Sequence, residues 1–136
     1  MMPSQPQHGH HHNEHRHDDQ LFRDQTTLIR LLEHLDHAVE DASTTHSPDD
    51  LFADRVRFNS VAMEMTQAQE CARRLSEDYR RIMPNLPWAE LRALRNALVH
   101  DYDEIDVESL YDTVTQDVPA LATRLRPVVE AILHET

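Results

Sequence analysis

The chain has 136 residues, with 13 Lys plus Arg against 25 Asp plus Glu and a formal net charge of −12. A single domain of this length can build a core without metals or disulfides, and its one cysteine, Cys71, excludes an internal disulfide and suits a reducing cytoplasm. The one glycine, Gly9, excludes a P-loop or a dinucleotide fingerprint, because each needs several glycines where backbone meets phosphate.

No apolar run reaches the length of a membrane span, and the N-terminus is His-rich rather than charged-then-apolar like a leader. The acidic balance argues against indiscriminate nucleic-acid binding, and DNA is not expected as a partner. Every basic residue is Arg, and residues 70–100 concentrate six of them (Arg73, Arg74, Arg80, Arg81, Arg92 and Arg95) against four carboxylates. An acidic body with one arginine focus suits a bound phosphate group and an RNA guided by the local field. With few aromatics and long stretches of 3.6-residue periodicity, the chain reads as all-α.

Residues 1–18 hold six histidines (His8, His10, His11, His12, His15 and His17) among polar residues and form a low-complexity tail that cannot build a core. Two readings stand for it: a disordered tail, or capture of Ni²⁺ or Zn²⁺ by neutral imidazoles without fixed ligand spacing. Residues 19–136 are expected to form one helical bundle. From about Asp19 to Asp41, Leu21, Leu28, Leu32, Leu35 and Val39 fall on one helical face. His34 and His37 share this helix without a carboxylate at a ligand offset, so they read as surface histidines. Ser47-Pro48 is a helix start, a capping hydroxyl followed by proline at the first helical position.

A second long helix is predicted from about Asp54 to Ile82, on a seam that includes Phe58, Val61, Met65, Ala72, Tyr79 and Ile82. Cys71 lies beside that seam as a small buried hydrophobe. Pro87 opens a third helix carrying Trp88, Leu91, Leu94 and Leu98. Asp106 is placed to cap a last helical stretch whose seam runs from Val107 to Ile132, with Pro119 and Pro127 expected to kink or split it. The expected architecture is an up-and-down bundle of four to five helices. The apolar faces of the second and last helices are wide enough to serve a dimer as well as a core.

The chemistry concentrates in Leu94-Arg95-Asn96-Ala97-Leu98-Val99-His100-Asp101-Tyr102. Arg95 supplies a permanent planar cation suited to phosphate, and His100 the side chain most readily poised for proton transfer near neutral pH. Asn96 can donate a further hydrogen bond to phosphate, while Glu70 and Asp101 can orient or polarise His100. RNA carries its own nucleophile in the 2′-hydroxyl, so these groups suffice for cleavage without a metal. On a continuous helix, Arg95 and His100 would stand about 140° apart. Their convergence needs the helix to unwind near His100, or two copies of the motif to meet across a dimer. The plainer alternative has Arg95 paired with a carboxylate and His100 capping a helix C-terminus.

Three features together resemble the HepT-like group of HEPN-domain proteins over roughly residues 20–130. Gln69-Glu70-Cys71-Ala72-Arg73-Arg74-Leu75 resembles the family's Gly-Glu-Ala helix segment, and Leu86-Pro87-Trp88 resembles the Pro-Trp that opens its motif helix. Arg95 through Tyr102 matches its Arg-x4-His-x-Tyr signature, followed by Ile105-Asp106 and Asp117-Val118-Pro119. The resemblance implies a HEPN-like four- or five-helix bundle and a homodimer. It further implies a metal-independent endoribonuclease with Arg95 and His100 lining a cleft at the dimer interface.

It also implies the toxin half of a type VII-like toxin–antitoxin pair. The partner would be an MntA-type nucleotidyltransferase antitoxin that silences the toxin by placing AMP on Tyr102. ATP would then be used by that partner, and this chain would need no cofactor. The expected substrate is tRNA or mRNA in the cytoplasm. The chain departs from the family at Gln69, which stands where the family has glycine and fills space where helices approach closely. Two other readings remain: a non-catalytic subunit that presents RNA or nucleotide to a nucleotidyltransferase, and a metal-handling protein using the histidine tail.

Overall fold

In the computed structural model the described residues are 4–96 and 106–135. Among them the chain is helical throughout, with no strand, as its periodicity predicts. Its helices are α1 (Ser4–Ala42), α2 (Pro48–Ala53), α3 (Arg55–Arg74), α4 (Glu77–Ile82), α5 (Trp88–Asn96), α6 (Val107–Asp112) and α7 (Val118–Glu135). A π-helical turn, Thr113–Asp117, joins α6 to α7.

Helix α1 is the spine. Leu28, Leu31 and Leu35 are wholly buried along it, in one core with Val61, Met65 and Ala68 of α3 and Leu125 of α7, the two helices α1 packs against most. Each such side chain contributes about 1.5–3 kcal/mol of transfer free energy. The backbone of α1 is already helical at Ser4, well ahead of the start near Asp19 that the apolar pattern predicts. No proline stands between Pro6 and Pro48 to stop a helix from running upstream. The apolar contacts nonetheless begin at Leu21, where the pattern begins.

The predicted caps are present. Ser47 accepts from the Asp50 N–H at 3.1 Å with Pro48 at the first helical position, and Asp106 accepts from the Glu108 and Ser109 N–H groups. Those donors, with the Ser109 side chain, hold the Asp106 carboxyl below the ordinary aspartate range.

The predicted second helix is in fact two. Leu75 turns extended (φ −63°, ψ 130°), and Ser76 caps a new helix, α4, by accepting from the Tyr79 N–H at 3.1 Å. The reason lies on α1. Asp24, only 2% exposed, accepts from the Ser76 N–H at 2.9 Å and from its hydroxyl at 2.6 Å. A buried carboxylate must be satisfied in this way, and a Ser at a helix start offers two donors that a continuous helix would withhold. The break resets the register, so Tyr79 is buried whereas Ile82, placed on the seam by periodicity, is 57% exposed. Burial, reinforced by the Asp24 charge, pushes the Tyr79 phenol above its ordinary range.

The last stretch also divides, at the π-helical turn before Pro119. A proline ring crowds the carbonyl four residues earlier, and a widened turn relieves that crowding. Pro119 thus falls in the first turn of α7, where it is tolerated, while Pro127 lies inside α7 without ending it.

Replacing Asp24 with Ala is expected to cost about 2 kcal/mol, since it strands the half-buried Ser76 donors. Urea denaturation should show a lower midpoint with an unchanged slope.

Candidate active site

Helix α5 is short, and it carries the described part of the motif. Leu91 and Leu94 are buried in the core beside α3, and the Trp88 indole donates to the Met83 carbonyl at 2.7 Å. Its ring also meets Tyr79 edge to face, 6.3 Å between centroids. These contacts tie the start of α5 to α4. Its other end is tied to α3: the Gln69 amide, buried at 6% exposure, donates to the Leu94 carbonyl at 3.1 Å. The residue that departs from the family's glycine therefore fixes the turn immediately before Arg95.

With Leu91 and Leu94 turned inward and Trp88 half-buried against the core, Arg92 and Arg95, three residues apart, face outward. Arg92 and Arg95 are exposed and line a shallow depression of about 100 Å³. Arg80 enters it from the last turn of α4, and Glu77 is its acidic member. Other arginines of this region are neutralised. Arg73 and Arg74 both hold Glu70, at 2.6 and 3.3 Å, and Arg81 pairs with Asp78. Among the described residues no ion pair engages Arg80, Arg92 or Arg95.

Of the sequence-predicted site, Arg95 and Asn96 are exposed at the end of α5, and Glu70 lies on α3 with its carboxylate shared by two arginines. His100, Asp101 and Tyr102 lie outside the described residues. The reading in which Arg95 pairs with a carboxylate finds no such pair among the described residues. Cys71 is buried, as predicted, and burial pushes its thiol above the ordinary range against the opposing influence of Arg74 and Arg30.

A second cavity, of about 380 Å³, opens on the other side of α5 toward the π-helical turn and α7. Ala93, Leu94, Val118 and Leu121 give it apolar walls, and a 2.7 Å Arg124–Glu90 ion pair stands at its rim.

Periodicity within one helix could not show what stands opposite His34 and His37. The answer is Glu64 on α3, 2.7 Å from the His34 Nδ1 and 3.6 Å from the His37 Nδ1. Among the described residues no three His, Cys, Asp or Glu side chains are arranged to hold a metal ion. Nor is any helix among them long and apolar enough to cross a membrane.

The architecture is thus an all-α bundle with a short, arginine-bearing helix braced at both ends. The chain belongs to the family described as ribonuclease HepT-like, whose model matches residues 30–128 and so includes both Glu70 and the Arg95–Tyr102 motif. It is 30% identical over 73 residues to "Probable ribonuclease HepT" of Thermococcus cleftensis, a match covering 54% of this chain and 66% of that protein. It is 42% identical over 52 residues to "Putative RNase MJ1380" of Methanocaldococcus jannaschii, covering 38% of this chain and 48% of the relative. A further protein of that organism, "Putative RNase MJ0127", is 25% identical over 108 residues, 79% of this chain and 88% of its own length. The chain spans from about half to just under two thirds of the length of the first two relatives. No solved structure matches it.

Two outcomes are expected. Gln69→Ala strands the buried Leu94 carbonyl and should cost about 1–2 kcal/mol of stability, measured by urea denaturation. The Cys71 thiol should react slowly with a disulfide reagent at pH 8 in the folded protein and rapidly in denaturant. Because its folded pKa is raised, the folded state keeps the proton longer, and stability should fall as pH rises through the ordinary thiol range.

Proposed function

We propose that this chain is an endoribonuclease that cleaves RNA without a metal, acting as the toxin of a type VII-like toxin–antitoxin pair. The observation that carries this reading is Arg95: exposed at the end of a braced helix, unpaired among the described residues, five positions before His100. Membership of the ribonuclease HepT-like family supports it.

In the proposed reaction the RNA 2′-oxygen attacks the adjacent phosphorus and loses its proton. The 5′-oxygen of the next nucleotide leaves and takes one up, and a 2′,3′-cyclic phosphate remains. His100 serves the proton transfers, and Arg95 the charge that grows on the non-bridging oxygens. Asn96 would donate a further hydrogen bond to the same phosphate, and Asp101 would orient His100. Glu70, shared by Arg73 and Arg74, acts by setting the charge near the motif. A homodimer would bring two motifs to one cleft, which overcomes the angular separation of Arg95 and His100 along a helix.

Silencing follows from the same chemistry. A nucleotidyltransferase antitoxin of the MntA type would use ATP, the Tyr102 phenolate oxygen attacking its α-phosphorus and releasing pyrophosphate. The AMP phosphate would then compete with RNA for Arg95. The chain itself needs no cofactor in this scheme, and tRNA or mRNA in the cytoplasm is the target.

RNA cleavage by the purified protein in excess EDTA tests the proposal. Arg95→Ala and His100→Ala should each lower the rate by about 100-fold or more while circular dichroism stays unchanged. Absence of cleavage by the parent on tRNA, mRNA and total RNA, with Tyr102 shown by mass to be free of AMP, would instead favour a non-catalytic partner of a nucleotidyltransferase.

A further inference from the structure

The depression beside Arg95 carries more positive charge than one scissile phosphate needs. Arg80 reaches it from α4, and Arg92 and Arg95 from one face of α5, with Glu77 the only carboxylate among the described residues of its lining. Six other arginines, Arg57, Arg73, Arg74, Arg81, Arg124 and Arg126, each meet a carboxylate, and those that do not among the described residues (Arg23, Arg30 and Arg55) lie on α1 and at the start of α3 rather than in this depression. In a protein with 25 acidic residues and a net charge of −12, partners for three more were not scarce. Three guanidiniums gathered without carboxylate partners among the described residues repel one another, and the natural counter-charge is an anion bound from outside.

The position is also held firmly. Asp24 fixes the Ser76 cap of α4, and the Tyr79–Trp88 contact carries that constraint to α5. Arg80 and Arg92 therefore project from braced helices rather than from a loop. Planar forks on rigid supports suit phosphate oxygens better than a diffuse positive surface does.

We propose that Arg80 and Arg92 form a second phosphate subsite beside Arg95, which takes the backbone phosphate neighbouring the scissile one in single-stranded RNA. The assignment rests on the reading of Arg95 given above and deepens it. It makes the substrate a strand with at least two phosphates in register, rather than a mononucleotide. A phosphodiester strand and a free nucleotide share the chemistry, so the test must separate them.

The probe is a fluorescein-labelled 2′-O-methyl U12 oligonucleotide, which lacks the 2′-hydroxyl needed for cleavage. Its binding to the full chain is read by anisotropy across a salt series. Arg80→Gln and Arg92→Gln should each weaken binding about 5-fold. Each should also reduce the slope of log affinity against log salt by about 0.7, the value for one phosphate contact on a single strand. Arg55→Gln is the control: it too lacks an ion pair among the described residues, but it lies at the far end of α3, about 28 Å from Arg74. It should leave affinity and slope unchanged.

Parent-like binding by both Arg80 and Arg92 variants, with Arg95→Gln weakened, overturns the second subsite and leaves the reading of Arg95 standing. Parent-like binding by all three overturns both. Equal losses in the Arg55 control would mark a general field effect and sink the subsite. ATP displacing the probe at stoichiometric concentration, with affinity independent of oligonucleotide length, would assign the arginines to a nucleotide and overturn the strand reading. Weakened binding by Arg80 and Arg92 variants, in a protein that cleaves no RNA, would uphold the subsite while the cleavage proposal failed.

Discussion

One buried carboxylate organises the end of the molecule where the motif begins. Asp24 sits inside the bundle on α1, and its charge must be met by donors. The Ser76 N–H and hydroxyl meet it, and they are available because the chain leaves the helix at Leu75 and starts again. A single electrostatic requirement thus explains the break between α3 and α4 and the burial of Tyr79. Through the edge-to-face contact of Tyr79 with Trp88, it also sets the starting position of α5. Without it, residues 54–82 could run on as the one long helix their apolar pattern describes.

The other end of α5 depends on a substitution. A glycine beside Glu70 would let α3 and α5 approach closely. Gln69 occupies that space instead and turns bulk into a bond, its amide donating to the Leu94 carbonyl. Its amide repays its desolvation by satisfying a backbone acceptor near a helix end, where acceptors would otherwise lack partners. The family match spans this position, and the contact fixes the last described turn, the one that carries Arg95.

Charge is distributed with the same economy. Half of the arginine focus in residues 70–100, Arg73, Arg74 and Arg81, is cancelled locally by Glu70 and Asp78, within about a helical turn of each cation. These exposed pairs add little to stability. Their effect is to remove competing positive charge, so that among the described residues of this region the uncancelled cations are Arg80, Arg92 and Arg95.

The sequence by itself determined the helical class, the caps at Ser47 and Asp106, the burial of Leu28, Leu35, Met65 and Cys71, and the motif that marks the family. Each rests on local periodicity, on hydrogen bonds within a few residues, or on contiguous residue identity, all of which one-dimensional order contains. The tertiary structure alone decided the break at Leu75–Ser76, the outward turn of Ile82, the placement of Glu64 against His34, and the gathering of Arg80 with Arg92 and Arg95. Each of these depends on a partner from another helix. Asp24 and Ser76 stand 52 residues apart, and Gln69 and Leu94 stand 25 apart. No pattern along one helix records which groups will meet across such a gap, because their pairing is set by how the helices pack and by the cost of leaving a buried polar group unsatisfied.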